Sequence, residues 1–145
     1  MNPSATNDAL DRIEIRDLLS RIAIATDRRD WEAFAACFVP GAAADYGETS
    51  SGTIDDAVAV LGPMLQGYAS TMNFVGTHRV DLDGDRGIAE TYVLSYHRRE
   101  DDPASDDIAG TRYVDDVVRT PDGWRIGRRV AELLWFRPAD PVTPA

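Results

Sequence analysis

The sequence predicts a single α+β domain in which a curved antiparallel sheet wraps around N-terminal helices to form a cone. Two observations lead to this prediction. Up to roughly residue 70 the apolar residues recur mostly at helical intervals, and beyond it they alternate as they do in strands. Helices followed by an antiparallel meander describe an α+β arrangement. A sheet that curls around a helix encloses a cup, which is either filled by side chains or open to a ligand.

Two helices open the chain. Residues 7–27 place apolar side chains at intervals of three to five, with charged residues between them. Asp30 stands where it would cap a short second helix over residues 31–38, and Pro40 and Gly41 would end that helix. The apolar residues of the first helix are Leu10, Ile13, Leu18, Ile22 and Ala25.

A short strand, a third helix and four longer strands follow. Residues 42–47 form a strand candidate, and residues 53–70 are predicted as a helix that Pro63 should kink or divide. The four later strands are separated by the turn sequences DGD and PDG and by a longer acidic loop at residues 100–110. These strands span residues 72–84, 86–100, 109–123 and 124–138.

Charge and composition narrow the possible functions. The chain has 15 basic and 25 acidic residues and a formal net charge of −10, so it repels nucleic acids and anionic lipids. We therefore expect neither nucleic acid nor membrane as a partner. No apolar run approaches the ~20 residues of a membrane span, and the N-terminal residues do not resemble a signal peptide. The expected location is the cytoplasm.

Residues 1–137 should form one domain, followed by an irregular proline-rich tail at residues 138–145. The single cysteine, Cys37, lies in an apolar stretch and is expected to be a buried structural thiol. The chain contains no nucleotide-binding glycine loop and no nucleophile-elbow sequence. Its two histidines lie outside any metal-binding spacing, so we expect neither a metal nor a cofactor.

Asp27 stands at the end of the first helix, three and four residues after Ile24 and Ala23, and shares their side of the helix. Burial of a carboxylate at this position would raise its pKa and make it a proton acceptor. The alternative, which sequence alone favours, is that Asp27 is a helix-end carboxylate or caps the next helix.

The two histidines differ in their surroundings. Strand alternation groups His97 with Thr91 and Ser95 on one face, which is either solvated or lines a polar cavity. His78 lies near a strand end, where a surface histidine is the commoner case. Because His78 follows Asn73 by five residues, a regular strand would point them to opposite faces, and only a bulge would turn both inward.

Arg128 and Arg129 are consecutive in the last strand, so one of them faces the inner side of the sheet. An inward arginine requires a carboxylate or an anionic ligand. The sequence favours a structural pair with Asp27 or Glu132 over substrate binding.

Several segments in this order resemble the SnoaL-like group of the nuclear transport factor two superfamily. The resemblance covers roughly residues 8–137 and implies a cystatin-like α+β barrel with a deep pocket between the sheet and the helices. Enzymes of this group include scytalone dehydratase, lindane dehydrochlorinase and bile-acid dehydratase. The matching segments are IRDLLSRIAIATDRRDWEAFAACFVPGAAADYG, FVG, YVLSYHR, GTRYVDDVVRTPDGWRI and RRVAELLWF.

In those enzymes an aspartate near the end of the first helix acts with a histidine on the first long strand to remove a proton beside a departing group. Asp27 matches that aspartate. Tyr46 matches a tyrosine that helps to polarise a substrate carbonyl through a water. His97 matches a histidine that assists departure of a hydroxyl, and Arg129 lies where the dehydrochlorinase has a pocket arginine.

This sequence differs from the family pattern at Asn73, which stands where relatives commonly carry the histidine that acts with the aspartate. An amide can orient Asp27 or bind a substrate oxygen, but it cannot transfer a proton at neutral pH. The resemblance thus implies Asp27 and His97 as catalytic residues. The candidates for substrate binding are Tyr46, Asn73, His78 and Arg129.

The resemblance therefore implies a small cofactor-independent lyase, isomerase or cyclase that performs acid–base chemistry on an apolar cyclic or carbonyl-bearing molecule. Because Asn73 cannot carry the proton, three possibilities follow. Asp27 acts alone as the base, His97 acts as the acid or base in its place, or the chain binds a ligand without converting it. We also expect a homodimer or homotrimer. Its contact surface would contain Tyr92, Leu94 and Tyr96 on the outer face, with Leu134 and Phe136.

Overall fold

The chain folds into three helices and a six-stranded sheet over residues 3–140, the part that the computed structural model describes. As predicted, the helices lie in the N-terminal half and the long strands follow. In chain order the elements are α1 (Pro3–Arg28), α2 (Trp31–Ala35), β1 (Phe38–Asp45), β2 (Ser51–Thr53), α3 (Ile54–Gln66), β3 (Tyr68–Asp83), β4 (Arg86–Arg99), β5 (Asp106–Thr120) and β6 (Gly123–Arg137).

The sheet has the order β2-β1-β6-β5-β4-β3 and is curved but not closed. Strands β3 to β6 form the predicted antiparallel meander, and β2 pairs antiparallel with β1. Strand β1 runs parallel to β6, so the sheet is mixed rather than wholly antiparallel. The alternation of apolar and polar residues in a short strand does not show whether its neighbour runs parallel or antiparallel. The sequence therefore did not indicate the parallel pairing of β1 with β6.

Several element ends differ from the prediction. Strand β1 begins at Phe38, where a helix was expected, and α3 runs through Pro63 without being divided. Strand β5 begins at Asp106, so the acidic loop is shorter than expected. The segment after β6 begins at Pro138, as predicted for the tail, and residues 141–145 lie outside the described part of the chain.

The buried side of α1 is shifted from the predicted one. Leu10 and Ile13 are 60% and 58% exposed, whereas Asp11 is buried and accepts a hydrogen bond from Trp124 Nε1 at 3.0 Å. The buried side chains of α1 recur at helical intervals from Asp11 onward, and Leu10 and Ile13 lie outside this buried side. Its buried apolar members are Ile15, Leu18, Leu19, Ile22 and Ala25.

The end of α1 is fastened to the two elements that frame the cavity described below. Arg29 follows α1 with φ at 55°, in the left-handed conformation that often ends helices. Its guanidinium donates to the carbonyl of Leu65 at 2.7 Å and to that of Tyr68 at 3.0 Å. Asp30 then accepts from Ala33 N at 3.0 Å, which confirms it as the cap of α2.

Cys37 is buried, and its thiol donates to the carbonyl of Ala33 at 3.4 Å. Burial raises the pKa of this thiol, so the expectation of a structural cysteine is confirmed. Among the helices within residues 3–140, none has the length and apolar character needed to cross a membrane.

Candidate functional site

A cavity of about 330 Å³ lies between the inner face of the sheet and helices α1 and α3. Most of its lining is apolar, with Ile22 from α1, Leu65 from α3 and Val93 from β4 among the lining residues. The polar side chains form two groups, one around Asn73 and one around Arg129. A largely apolar cavity with a few convergent polar groups is typical of a small-molecule site.

Asn73 joins the cavity to Asp27. Asp27 Oδ1 accepts from the side-chain Nδ2 of Asn73 at 2.7 Å and from its backbone N at 2.9 Å. Ser95 Oγ donates to Asn73 Oδ1 at 2.5 Å, which turns the amide nitrogen toward the carboxylate. Asn73 and Thr26 line the cavity while Asp27 does not, so the carboxylate stands at the edge of the cavity.

Burial raises the pKa of Asp27, against the opposing effects of the Asn73 hydrogen bonds and the charge of Arg29. The hydrogen bonds that the Asp27 carboxylate accepts within residues 3–140 both reach Oδ1, which leaves Oδ2 as the oxygen that can take a proton. Asp27 lies in the last turn of α1, as the helix-end alternative expected, whereas the cap of α2 is Asp30, so the capping alternative is wrong.

His97 lines the cavity from the inner face of β4, which confirms this alternative over a solvated face. Thr91, Ser95 and His97 all line the cavity, as their alternation requires. His97 Nδ1 lies 3.2 Å from Thr71 Oγ1. Burial lowers the pKa of His97, while the nearby charge of Asp107 opposes this shift. A neutral imidazole at physiological pH can accept a proton.

Tyr68 connects His97 to the segment after β6. Its ring stacks on the imidazole of His97, with 4.9 Å between centroids. The Tyr68 hydroxyl donates to Asp107 Oδ2 at 2.8 Å, and burial together with this carboxylate raises the pKa of Tyr68 to about 12. Ala139 N donates to Asp107 Oδ1 at 2.7 Å. The start of the predicted tail is thus bound to the same carboxylate that supports Tyr68.

Arg129 is the inward arginine, but its partner differs from the predicted ones. Its Nε and Nη2 donate to the two oxygens of Asp115 at 2.7 and 2.8 Å, and both residues are buried. Pairing with Asp27 or Glu132 is therefore wrong, because Asp115 is the cross-strand neighbour of Arg129. Burial alone would lower the pKa of Arg129, but the charge of Asp115 raises it well above its usual range.

Two tyrosines accompany this ion pair. The guanidinium of Arg129 lies 4.3 Å from the ring centroid of Tyr113, and the Tyr46 ring lies 6.4 Å from that of Tyr113. Burial raises the pKa of both phenols, so both remain protonated at neutral pH. The turn after β1 places Tyr46, whose backbone N donates to Ser50 O at 2.7 Å. Arg129, Tyr46 and Tyr113 together form the second polar group of the cavity.

His78 is not brought to the cavity. The register of β3 shifts between Val75 and His78, and this bulge aligns His78 with Thr91, on the same face of the sheet as Asn73. However, His78 lies in a separate surface depression that also contains Arg12 and Asp81. Within residues 3–140, no three histidine, cysteine or acidic side chains lie close enough together to hold a metal ion.

The sequence reasoning overlooked Asp115, although the same alternation rule could have found it. Asp115 and Asp116 are consecutive in β5 and pair across the sheet with Arg129 and Arg128. Consecutive residues of a strand point to opposite faces, so one of the two aspartates must face inward, as one of the two arginines does. Tyr68, Tyr113 and Thr71 carried no comparable signal, because a hydroxyl on a strand is ordinary at the surface.

Comparison with known proteins agrees with this architecture. The model of the SnoaL-like domain matches residues 7–130. An uncharacterized protein of Mycobacterium tuberculosis strain H37Rv is 33% identical over 124 residues, which cover 83% of each chain.

Solved structures share the fold at low sequence identity. A scytalone dehydratase-like protein of Novosphingobium aromaticivorans is 20% identical, with a TM-score of 0.82 over 97% of this chain and 99% of its own. The hexachlorocyclohexane dehydrochlorinase LinA-type3 of Novosphingobium barchaimii is 14% identical, with a TM-score of 0.79 over 97% and 98% of the two chains. The family model covers most of the chain, and the chain therefore belongs to the SnoaL-like domain family.

Proposed function

We propose that this protein is a small cofactor-independent lyase, isomerase or cyclase that acts on an apolar cyclic or carbonyl-bearing molecule. Asp27 is the proposed base, and the reaction begins when Oδ2 takes a proton from a carbon next to the carbonyl. The observation that carries the proposal is the carboxylate itself, which is half-buried, raised in pKa and held through one oxygen by Asn73. The likeness of fold to a dehydratase-like protein and a dehydrochlorinase supports elimination chemistry.

The other polar residues have distinct proposed roles. His97 is neutral and lines the cavity, so its ring N–H can donate a hydrogen bond to a leaving or carbonyl oxygen. Tyr46 and Arg129 belong to the second polar group and would bind a substrate oxygen. Asn73 holds Asp27 in position. The apolar lining would desolvate the carboxylate and make it a stronger base.

A passive ligand-binding protein is the second candidate. Asn73 favours it, because an amide occupies the place where relatives carry a histidine and cannot transfer a proton. The same cavity would then hold an apolar molecule without changing it.

Exchange of carbon-bound protons with solvent separates these candidates without knowledge of the natural substrate. The protein is incubated with 2-tetralone or cyclohexanone in D₂O, and deuterium incorporation beside the carbonyl is followed by NMR. An acid–base enzyme accelerates the exchange, and loss of the base in Asp27→Asn should remove about 10²–10⁴-fold of that acceleration. Asp17→Asn is the matched control, since Asp17 is exposed on the same helix. Ketone binding without accelerated exchange would establish the passive alternative.

A further inference from the structure

The two ring nitrogens of His97 have different surroundings. Nδ1 lies 3.2 Å from Oγ1 of Thr71, the cross-strand partner of His97 on β3. Nε2 has no hydrogen-bond partner among the described residues, yet it keeps accessible surface, because the buried side-chain atom there that lacks a partner is Thr91 Oγ1. A neutral imidazole carries one proton, and the position of that proton decides whether Nε2 donates or accepts a hydrogen bond.

The Thr71 hydroxyl limits where this proton can be. Thr71 is 7% exposed and lies outside the cavity lining, so its hydroxyl depends on a partner within the protein. Within the described part of the chain that partner is His97 Nδ1. If Nδ1 carried the proton, Thr71 would accept the hydrogen bond and its own hydroxyl proton would be buried without an acceptor. If Nδ1 is unprotonated, Thr71 donates to it and both atoms of the contact are satisfied.

The pair lies beside the proposed base. Thr71 and Asn73 are two residues apart on one face of β3, and their partners on β4 are His97 and Ser95. Two residues of strand span about 7 Å. Because Asn73 holds Asp27, a substrate carbon at Asp27 Oδ2 lies close enough for an oxygen on the neighbouring carbon to reach His97.

The other neighbours of His97 leave its ring neutral. Tyr68 stacks on the imidazole, but its hydroxyl donates to Asp107 rather than to a ring nitrogen. Burial is the largest effect on the pKa of His97 and lowers it; the charge of Arg29 acts in the same direction, and that of Asp107 opposes it. The property left for Thr71 to set is therefore the tautomer of a neutral ring.

We propose that Thr71 is a positioning residue that holds the proton of neutral His97 on Nε2, so that His97 presents a hydrogen-bond donor to the substrate oxygen. This inference rests on the proposed function, in which Asp27 removes the proton from carbon. A neutral imidazole can polarise a carbonyl by donating its ring N–H, which stabilises the negative charge that develops on the oxygen. His97 then does not replace Asp27 as the base, because Thr71 occupies its unprotonated nitrogen.

Nitrogen NMR of the isotope-labelled imidazole tests this inference without a substrate. Protonated and unprotonated ring nitrogens have well-separated chemical shifts, and the His78→Gln background leaves His97 as the one histidine of the chain. The spectrum is recorded at about pH 8, above the ordinary histidine pKa of about 6.5. We expect the proton on Nε2 in about nine-tenths of the molecules or more, since an orphaned hydroxyl disfavours the other tautomer about tenfold.

Variants of Thr71 separate positioning from packing. Thr71→Val keeps the shape of threonine without the hydroxyl, so the tautomer with the proton on Nδ1 should become populated and the Nδ1 shift should move toward the protonated value. Thr71→Ser keeps the hydroxyl and should retain the wild-type spectrum. Should Thr71→Val fail to fold, Thr71→Ala provides the same comparison. A wild-type proton on Nδ1, or identical spectra for wild type and Thr71→Val, would overturn the role of Thr71.

The exchange of cyclohexanone protons shows whether the tautomer matters to the proposed reaction. Thr71→Val should lower the acceleration about three- to tenfold, the effect of one hydrogen bond, and Thr71→Ser should retain it. Unchanged exchange in a Thr71→Val variant whose tautomer has shifted would overturn the positioning role and leave the proposed function standing. A wild-type protein that does not accelerate exchange would refute the proposed function, and the spectra would still decide which tautomer Thr71 sets.

Discussion

Asn73 holds a single oxygen of Asp27 with two donors, its backbone N–H at 2.9 Å and its side-chain amide at 2.7 Å. Ser95 fixes the direction of that amide from the other side. The arrangement orients the carboxylate and leaves its second oxygen outside the pair of hydrogen bonds. An amide can perform this positioning task as well as a histidine can, but it cannot carry the proton onward. The chemistry proposed here therefore depends on Asp27 and a separate acid.

The first prediction concerns the hydrogen bond itself. Asn73→Leu keeps much of the side-chain volume but removes the donor that stabilises the charged form of Asp27, so the pKa of Asp27 should rise further. Losing a hydrogen bond to a charged group should also cost about 1.5–3 kcal/mol of stability at neutral pH. NMR titration of the Asp27 carboxyl carbon measures the shift. Ser95→Ala should raise the pKa of Asp27 less, because it keeps the Asn73 donor and removes only the hydroxyl that orients the amide. A fall in the Asp27 pKa would contradict this account.

The second prediction follows from the raised pKa of Asp27. The folded state holds this proton more tightly than the unfolded state, so Asp27 favours folding at low pH. That contribution is lost as the pH rises from the ordinary value of 3.8 through the folded-state pKa. Asp27→Asn keeps an acceptor for Asn73 without the charge, so it should be at least as stable as wild type at pH 7. The difference in unfolding free energy should vanish below pH 3.8.

Urea unfolding of both proteins across this pH range provides the measurement, with Asp17→Asn as the control for removing an exposed charge from the same helix. A variant that is less stable than wild type at pH 7, with no dependence on pH, would show that Asp27 is mainly structural.

The third prediction concerns His97 and Asp107. The charge of Asp107 opposes the lowering of the His97 pKa by burial, so Asp107→Asn should lower that pKa further. The asparagine oxygen can still accept from Tyr68, which preserves the stacked ring. The chain has two histidines, and His78→Gln identifies the remaining signal in an NMR titration. A rise in the His97 pKa would mean that Asp107 does not act on it through charge.

Much of this architecture could be predicted from the sequence, because alternation and turn residues are local properties. The meander from β3 to β6 and the cap at Asp30 belong to this class. The grouping of Thr91, Ser95 and His97 on one face of β4 also follows from alternation, although the exposure of that face to a cavity does not. That depends on how far α1 and α3 stand from the sheet, and no short stretch of sequence encodes this distance.

The strand residues that reasoning from sequence misplaced all depend on long-range register. Arg129 was paired with the wrong carboxylate because the offset between β5 and β6 cannot be read from either strand alone. His78 required knowledge of a bulge to assign its face, and knowledge of its neighbours to see that it lies outside the cavity. Phe136 was placed on the outer surface, whereas it lines the cavity after an irregular stretch of β6.

The fourth prediction tests the buried ion pair of Arg129 and Asp115. Asp115→Asn or Asp115→Ala leaves the buried guanidinium without its counter-charge and should cost about 3–5 kcal/mol of unfolding free energy. The double variant Arg129→Met/Asp115→Leu should recover much of this loss, because it removes both charges together. Arg79→Ala is the control, since the exposed pair of Arg79 and Asp81 should contribute less than about 1 kcal/mol. A double variant less stable than either single variant would contradict this prediction, because it would show that the ion pair itself stabilises the fold.

The last prediction concerns the outer face of the sheet, where we expect a second copy of the chain to bind. Met72 and Phe74 are 55% and 60% exposed there, and Phe74 lies opposite Leu94. Trp135 extends the patch by packing against Gly110 on the neighbouring strand. Monomers rarely expose a large contiguous apolar surface. The charged side chains beside this patch on the outer face, Glu90, Arg112 and Glu132, pair with one another.

Light scattering at micromolar concentration should find a dimer or trimer, and Phe74→Glu should dissociate it by burying a charge in the contact. Ile13→Glu is the matched control, because Ile13 is 58% exposed on α1, away from the sheet face. Dissociation by Phe74→Glu alone places the contact on the outer face of the sheet. A wild-type monomer at this concentration, or equal dissociation by the two variants, would refute the assignment, because a contact through this face cannot depend on α1.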